Sequence, residues 1–429
     1  MSAPLRIAIA GLGTVGGGVA QLLLASDGEL AERAGRRLEL VAVSARDRCK
    51  PRAADVSRIA WADDPVSLAD TAADVVVELI GGEEGPARIL VEAALKSGKH
   101  VVTANKALLA HHGAALASLA EEAGVALKFE AAAAGGIPIV KALRESLIAY
   151  GIDAVRGILN GTCNYILTTM RESGRDFADV LAEAQRLGYA EADPSFDIDG
   201  IDTAHKLAIL ASLAFAAPVD IESVSCEGIR HVSALDIRYA DELGYRIKLL
   251  GVASLTDAGV ETRVYPAMVP LSFPLAHVGG VFNAVVTEGD FVGRTVLEGR
   301  GAGARPTASA VVSDLVDIAR GRTTPTFGVP FGALAPRPKA PAGARRSAYY
   351  IRLMVRDEPG VFAEIAAALR DERVSMEQVI QRGRAPSEAV PVVMTVHETG
   401  EAAMLRAVDR IGRLPTVAEP PRLIRIESL

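Results

Sequence analysis

Residues 5–24 read LRIAIAGLGTVGGGVAQLLL, and no other stretch narrows the fold as far. The apolar run 5–10 has the length of a buried strand, and a glycine-rich turn and an apolar helix follow at once. Gly11, Gly13 and Gly16 stand in G-x-G-x-x-G order. Gly11 permits the tight turn, Gly13 lets backbone approach a pyrophosphate, and Gly16 lets the helix pack close against the strand. Thr14 and Val15 fall in the first helical turn, where free N–H groups and the helix dipole favour phosphate. The pattern predicts a dinucleotide-binding unit, with cofactor contacts at Gly11, Gly13, Thr14, Val15 and Gly16.

The rest of the first third supports a parallel sheet. Short runs rich in Val, Ile and Leu recur at 38–44, 75–80, 100–105 and 126–131, with amphipathic segments between them. Strands alternating with helices at this spacing predict a sheet covered on both faces. From residue 137 the pattern changes. Helices are predicted at 138–149, 163–173, 176–187 and 201–216, mixed with strand-like runs at 246–255 and 259–269. The expected organisation is a Rossmann-type NAD(P)-binding domain over 1–136, joined by a returning helix at about 307–320. An α+β substrate-binding and dimerisation domain covers 137–306. Residues 321–347, rich in Pro, Gly, Ala and basic residues, read as a linker. Residues 348–429 run strand, helix, strand, strand, helix, strand, which is a ferredoxin-like order. The fold class is α/β, with these three domains.

At 429 residues the chain is too long for one core. A net charge of −7 with both signs interspersed leaves no footprint for nucleic acid or an anionic membrane. The first strand begins too early for a signal peptide, and no apolar run is long enough to span a bilayer. Cys49, Cys163 and Cys226 are scattered without metal-ligand spacing, so a reduced, cytoplasmic protein is expected.

Three polar clusters are candidates for chemistry. The second strand ends in VSARDR, where a carboxylate would favour NAD and Arg46 would favour the 2′-phosphate of NADP. Arg46 precedes Asp47, and Lys50 is near, so the reading leans to NADP and leaves NAD open. VVTANKALL places Thr103 and Lys106 at the carboxyl end of another strand, where ligands of such sheets bind. The third cluster, 188–206, collects acids before a helix that is apolar nearly all round. Asp202 and Lys206 are i,i+4 neighbours at its start, acid first. On a surface such a pair contributes about 0.3–0.5 kcal/mol. A helix this apolar is expected to be buried, which places Lys206 in a partly desolvated setting.

With these motifs in hand, the chain resembles homoserine dehydrogenase over nearly its full length. The matching segments are GLGTVG (11–16), VTANKALL (102–109), EAAAAGGIP (130–138), NGTCNYIL (160–167), GYAEADPSFDIDGIDTAHK (188–206) and GRGAGARPTASA (299–310). Residues 348–429 resemble an ACT domain. The resemblance implies reversible conversion of L-homoserine and L-aspartate 4-semialdehyde with NADP or NAD, in threonine, methionine and isoleucine biosynthesis. It assigns proton transfer to Lys206, assisted by Asp202 and Lys106. It gives the substrate ammonium to Glu191, with Asp197 shaping the site. It implies a monovalent cation, sodium or potassium, held by Glu130 and the carbonyls of Ala133, Gly135 and Ile137. Gly303 is the expected contact near the nicotinamide. Threonine is the expected effector of the ACT unit, whose Gly360 frees amides at a helix start, and a homodimer or homotetramer is expected. An ordinary lysine, charged at pH 7, suits donation to the aldehyde oxygen. Acting as base favours a lowered pKa, which burial and Lys106 promote and Asp202 opposes. Two rivals stand beside this reading: a silent amino-acid sensor, and a dehydrogenase of a related amino acid.

Overall fold

The structure is a computed structural model, and it describes all residues except 1, 2, 26, 27, 150, 342, 344, 383–388, 428 and 429. Its first sheet is built from strands that are apolar on both faces. These are β1 (Leu5–Ala10), β2 (Leu38–Ser44), β3 (Ala60–Ala62), β4 (Val75–Glu78), β5 (His100–Thr103) and β6 (Leu127–Lys128), in the order β3-β2-β1-β4-β5-β6. Every pairing is parallel. The order reverses beside β1, and the carboxyl ends of β1 and β4 open the crevice there. The Ala304–Ala319 helix shares one core with this sheet, its Val311 and Leu315 packing with Ile7, Ile9 and Val19. Gly18 permits that approach, since a Cβ there would lie 3.1 Å from the Ala304 carbonyl oxygen.

The second sheet is mixed. Its strands are β7 (Ile152–Ile158), β8 (Ser225–Cys226), β9 (Tyr245–Thr256), β10 (Gly259–Pro270), β11 (Phe282–Gly289), β12 (Gly293–Arg300), β13 (Arg346–Arg356), β14 (Met376–Gln381), β15 (Ala389–Gly400) and β16 (Arg422–Ile426). The order is β12-β11-β7-β9-β10-β16-β13-β15-β14, with β8 on β10. The C-terminal unit therefore continues the central sheet through a short parallel pairing, Ala267 with Arg425 and Met268 with Ile426. Two edges that would each expose unpaired N–H and C=O groups cover one another.

Some elements depart from the sequence expectation. The run 126–131 gives only two strand residues and then a 3₁₀ turn at Glu130–Ala132. The helix expected at 138–149 shortens to Ile139–Lys141 and passes into a π turn at Ala142–Ser146. Strands β7 and β12 had no apolar run to announce them, since Asp153 and Arg156 interrupt β7 and β12 is exposed or half-exposed throughout, and β11 carries only a short one at 284–286. The segment expected as a linker is pinned at Phe327 and Phe331 rather than loose there. Phe327 is buried against Phe129 with ring centroids 5.4 Å apart, and the Phe331 N–H bonds the Glu121 carboxylate at 2.8 Å. Among the described residues no helix is long and apolar enough to cross a membrane.

Candidate active site

The nucleotide crevice is set by three glycines with different surroundings. Gly11 has φ +96°, and a Cβ there would meet the Leu79 carbonyl oxygen at 2.4 Å. A Cβ at Gly16 would overlap the Gly11 carbonyl oxygen at 1.9 Å. At Gly13, by contrast, an added Cβ meets nothing within 4 Å. Two glycines close the turn and the third leaves open space at the start of the Thr14–Ala25 helix, which fits a pyrophosphate. Thr14 and Val15 open that helix. Across the crevice the Thr103 hydroxyl donates to Glu78 at 2.6 Å and accepts the Asn105 N–H at 2.9 Å. Glu78 also takes the N–H groups of Ile80 and Gly81. Thr103 is thus fully buried and positions the strand ends instead of offering a free hydroxyl. Arg46 is exposed at the tip of β2. The same loop places Arg48 and Arg52 over the Trp61 ring, 5.6 and 5.1 Å from its centroid.

In the third cluster Asp202 and Lys206 meet at the start of one helix. Asp202, buried at the start of the Ile201–Phe215 helix, forks between two lysines. Its Oδ2 lies 2.7 Å from Lys206 Nζ, and its Oδ1 lies 3.1 Å from Lys106 Nζ at the start of the Lys106–Glu122 helix. Lys206 Nζ also donates to the Leu159 carbonyl at 2.7 Å. Burial pushes the Asp202 carboxyl up, but Lys206, then Lys106 and the hydrogen bonds of Lys206 and Asn160, hold it well below the usual carboxylate range. Asp197 moves the other way, raised by burial despite its hydrogen bond from Asn160. The Asn160 amide joins the two acids, donating to Asp197 at 2.7 Å and to Asp202 at 2.8 Å while its carbonyl caps the Gly161–Ser173 helix. Lys106 keeps a third of its side chain exposed and lies 5.5 Å from the centroid of the Phe196 ring.

Sequence reasoning singled out the motif around Asn160 without giving the side chain a role. No local signal gives it one, because the two acids it joins lie 37 and 42 residues further along the chain. Glu191 is not brought into this cluster. Its side chain is exposed and has no hydrogen bond or ion pair among the described residues, while its carbonyl accepts from Gln185 at 3.0 Å.

Glu130 forms a second buried acidic site. Its carboxylate accepts the N–H groups of Val140 and Lys141 at 3.0 and 2.8 Å, and its own N–H bonds Asp314 at 2.8 Å. Burial and then Asp314 raise its pKa from 4.5 to about 7. Ala133 and Ile137 are buried alongside, and Ala134 and Gly135 both take positive φ, 55° and 41°. That backbone turn, with two buried carboxylates, fits a cation, although the described residues hold no cluster of three His, Cys, Asp or Glu side chains. Gly303, at φ +118°, precedes the Ala304–Ala319 helix.

A parallel-sheet nucleotide crevice beside a lysine–carboxylate fork defines an NAD(P)-dependent oxidoreductase. Residues 11–130 match the family model described as "Homoserine dehydrogenase, NAD binding domain", and residues 138–316 match the one described as "Homoserine dehydrogenase". A homoserine dehydrogenase of Pseudomonas aeruginosa is 47% identical over 99% of both chains. The crystal structure of a homoserine dehydrogenase from Thiobacillus denitrificans is 45% identical, with a TM-score of 0.91 over 99% of this chain and 98% of that one. A hyperthermophilic archaeal homoserine dehydrogenase in complex with NADPH is 28% identical with a TM-score of 0.65, its whole length matching 76% of this chain. The chain belongs to the homoserine dehydrogenase family.

Proposed function

We propose that Lys206 is the group that exchanges a proton with the substrate oxygen while L-homoserine and L-aspartate 4-semialdehyde interconvert. The observation that carries this is the Asp202 fork, which fixes two ammonium groups on the two oxygens of one buried carboxylate. When bound, the nicotinamide supplies the hydride exchange. The chain's own residues then have separate tasks. Lys206 donates to the aldehyde oxygen or accepts from the alcohol, and Lys106 steadies the developing charge on that oxygen. Asp202 holds both lysines, and Asn160 with Asp197 holds Asp202. Glu191 closes on the substrate ammonium from its exposed loop. Gly11, Gly13, Thr14, Val15, Gly16, Thr103 and Gly303 frame the cofactor, NADP or NAD, and Arg46 favours the 2′-phosphate of NADP. Glu130 with the carbonyls of Ala133, Gly135 and Ile137 takes sodium or potassium.

The same reading covers the chain as a whole. Residues 1–136 with the helix at about 307–320 form the nucleotide unit, and 137–306 form the substrate and dimerisation unit. Residues 321–347 connect it to an ACT regulatory unit at 348–429. The protein works in the cytoplasm as a homodimer or homotetramer, with threonine as effector at the Gly360 turn, where Gly360 takes φ +97° before the Val361–Asp371 helix.

The test is turnover of homoserine with NADP or NAD, followed by absorbance of the reduced cofactor. Lys206→Ala is expected to lower kcat by about 10²–10⁴-fold with cofactor affinity unchanged. Near-normal turnover in that variant sinks the assignment. Loss of ACT-dependent regulation is read separately, by titrating threonine against the intact enzyme.

A further inference from the structure

Phe196 stands in the acidic loop, next to Asp197, and is 41% exposed. An exposed aromatic ring needs no explanation on its own, but the neighbours of this one are specific. Lys106 Nζ lies 5.5 Å from its centroid, within the range of a cation–π contact. The His205 ring meets it in a T, with centroids 5.5 Å apart, and meets His111 in a second T at 5.4 Å. His111 in turn pairs with Glu83 at 3.1 Å. Lys106 and His111 lie on one helix, His205 on the helix of Asp202 and Lys206, and Phe196 on the short Ser195–Ile198 turn that carries Asp197. Segments far apart in the chain thus meet at three rings beside the fork. His205 is 6% exposed, and its Nδ1 has no hydrogen bond among the described residues. Such an unpaired buried nitrogen calls for a reason, and the rings around it supply packing instead of a partner.

We propose that Phe196, braced by His205, is a positioning residue that seats the Lys106 ammonium on Asp202 and beside the substrate oxygen. The inference rests on the reading that Lys106 acts on that oxygen. Asp202 holds the two lysines at 2.7 and 3.1 Å, but their other supports differ. Lys206 has a second acceptor in the Leu159 carbonyl and rises from the same helix as Asp202. Lys106 comes from a different helix, keeps 32% of its side chain exposed, and has the Phe196 ring as its other support. A long side chain at the edge of water keeps its rotamer freedom unless a second contact fixes it. The ring face attracts the cation yet accepts no conventional hydrogen bond, so the N–H donors of Lys106 stay available to the substrate. The brace depends on the charge of His205. That ring faces His111 and Lys106 from one helix, Glu83 from the loop after β4, Phe196 from the acidic loop and Asp202 from its own helix. Burial, then His111, hold its pKa below the ordinary 6.5, with Lys106 adding to them and Asp202 and Glu83 opposing. The imidazole is therefore neutral at pH 7. Its protonation brings a third cation against two lysines that share one carboxylate, and the more exposed Lys106 yields.

Steady-state turnover of homoserine by the full chain tests it. Phe196→Leu should lower kcat by about twofold to thirtyfold, with KM for the cofactor and Tm retained. Phe196→Tyr, which keeps the ring face, should restore kcat to near the parent. In a Lys106→Met background Phe196→Leu should cause no further loss, because a positioning residue acts through the group it positions. His205→Phe and His205→Gln, neither of which can take a charge, should each flatten the fall of kcat/KM below pH 6.5 that the parent shows. A fall set by Asp197 or Glu130 would persist in both. Parental kcat in Phe196→Leu, equal impairment in Phe196→Tyr, or additive losses in the double variant overturns the role of Phe196. An unchanged acid limb in both His205 variants overturns the role of His205. Parental kcat in Lys106→Met would instead overturn the reading on which the inference rests.

Discussion

Lys206 and Lys248 are both buried, 9% and 5% exposed, yet their partners differ in kind. Lys206 faces the Asp202 carboxylate at 2.7 Å, whereas Lys248 Nζ meets, among the described residues, only neutral acceptors, Asn164 Oδ1 at 3.0 Å and the Val278 carbonyl at 2.6 Å. Burial lowers Lys248 from 10.5 to about 8, helped by Arg171 and Arg246. A buried amine is therefore not by itself a mark of chemistry. What singles out the first lysine is a carboxylate that also holds a second, half-exposed lysine at the edge of the nucleotide crevice. The carboxylates repeat the lesson with the sign reversed: Asp202 lies between cations and is pulled down, and Glu130 lies beside Asp314 and is pushed up to about 7.

The largest effect is expected from breaking the fork. Asp202→Asn leaves two ammonium groups together without their counter-charge, so kcat/KM should fall at least about 10²-fold. Breaking a buried pair costs about 3–5 kcal/mol, which denaturant melts would register. Turnover within fivefold of the parent would show that the fork is structural only.

Glu130→Gln probes the opposite carboxylate. A folded pKa raised above the unfolded value favours folding at low pH, and that contribution is lost as pH rises through about 7. The variant, destabilised at pH 5 by replacing an acceptor that takes two N–H groups, should recover relative to the parent by up to about 3 kcal/mol between pH 5 and 8. Sodium or potassium should shrink that recovery. A difference independent of pH would contradict the raised carboxyl.

Lys248→Met should cost about 1–3 kcal/mol by stripping its acceptors of a donor, while kcat stays within about twofold, inside the few-tenths range of a remote change. The folded pKa of Lys248 is depressed, so its contribution is present above the unfolded value and lost as pH falls through about 8. The deficit of the variant should therefore narrow as pH falls from 10.5 to about 8 and stay constant below that. Asn164→Asp sharpens the contrast at the smallest scale, since it gives Lys248 a carboxylate. The pH dependence near 8 should disappear and no catalytic gain should follow, as measured by melts and turnover in parallel.

Much of the architecture was legible because it rests on local signals. β1 and β2 begin and end where their apolar runs do, and the glycine turn follows from residues whose backbone freedom is written in the sequence. The antiparallel strands β7 and β12 were not legible, because charged residues interrupt them, and β7 is held by partners far along the chain. The continuous sheet through β10 and β16 was equally hidden, as edge pairing of two separate units leaves no periodic trace in either. In the site, the i,i+4 spacing of Asp202 and Lys206 was readable from one helix. Asn160, the bridge between two acids, and Glu78, the anchor of Thr103, became visible only when distant segments met.

By itself, the order of residues determined the strand–turn–helix that receives a nucleotide, the apolar helix carrying Lys206 and the βαββαβ run at the C-terminus. Periodicity and glycine spacing act over a few residues, so they need no partner to be read. Tertiary structure alone decided that Lys106 joins Lys206 on one carboxylate, that Glu191 stays exposed, and that the third unit is zipped edge to edge onto the second. Those outcomes depend on charge and hydrogen-bond pairing between groups dozens to hundreds of residues apart, which only the folded chain brings within a few ångströms.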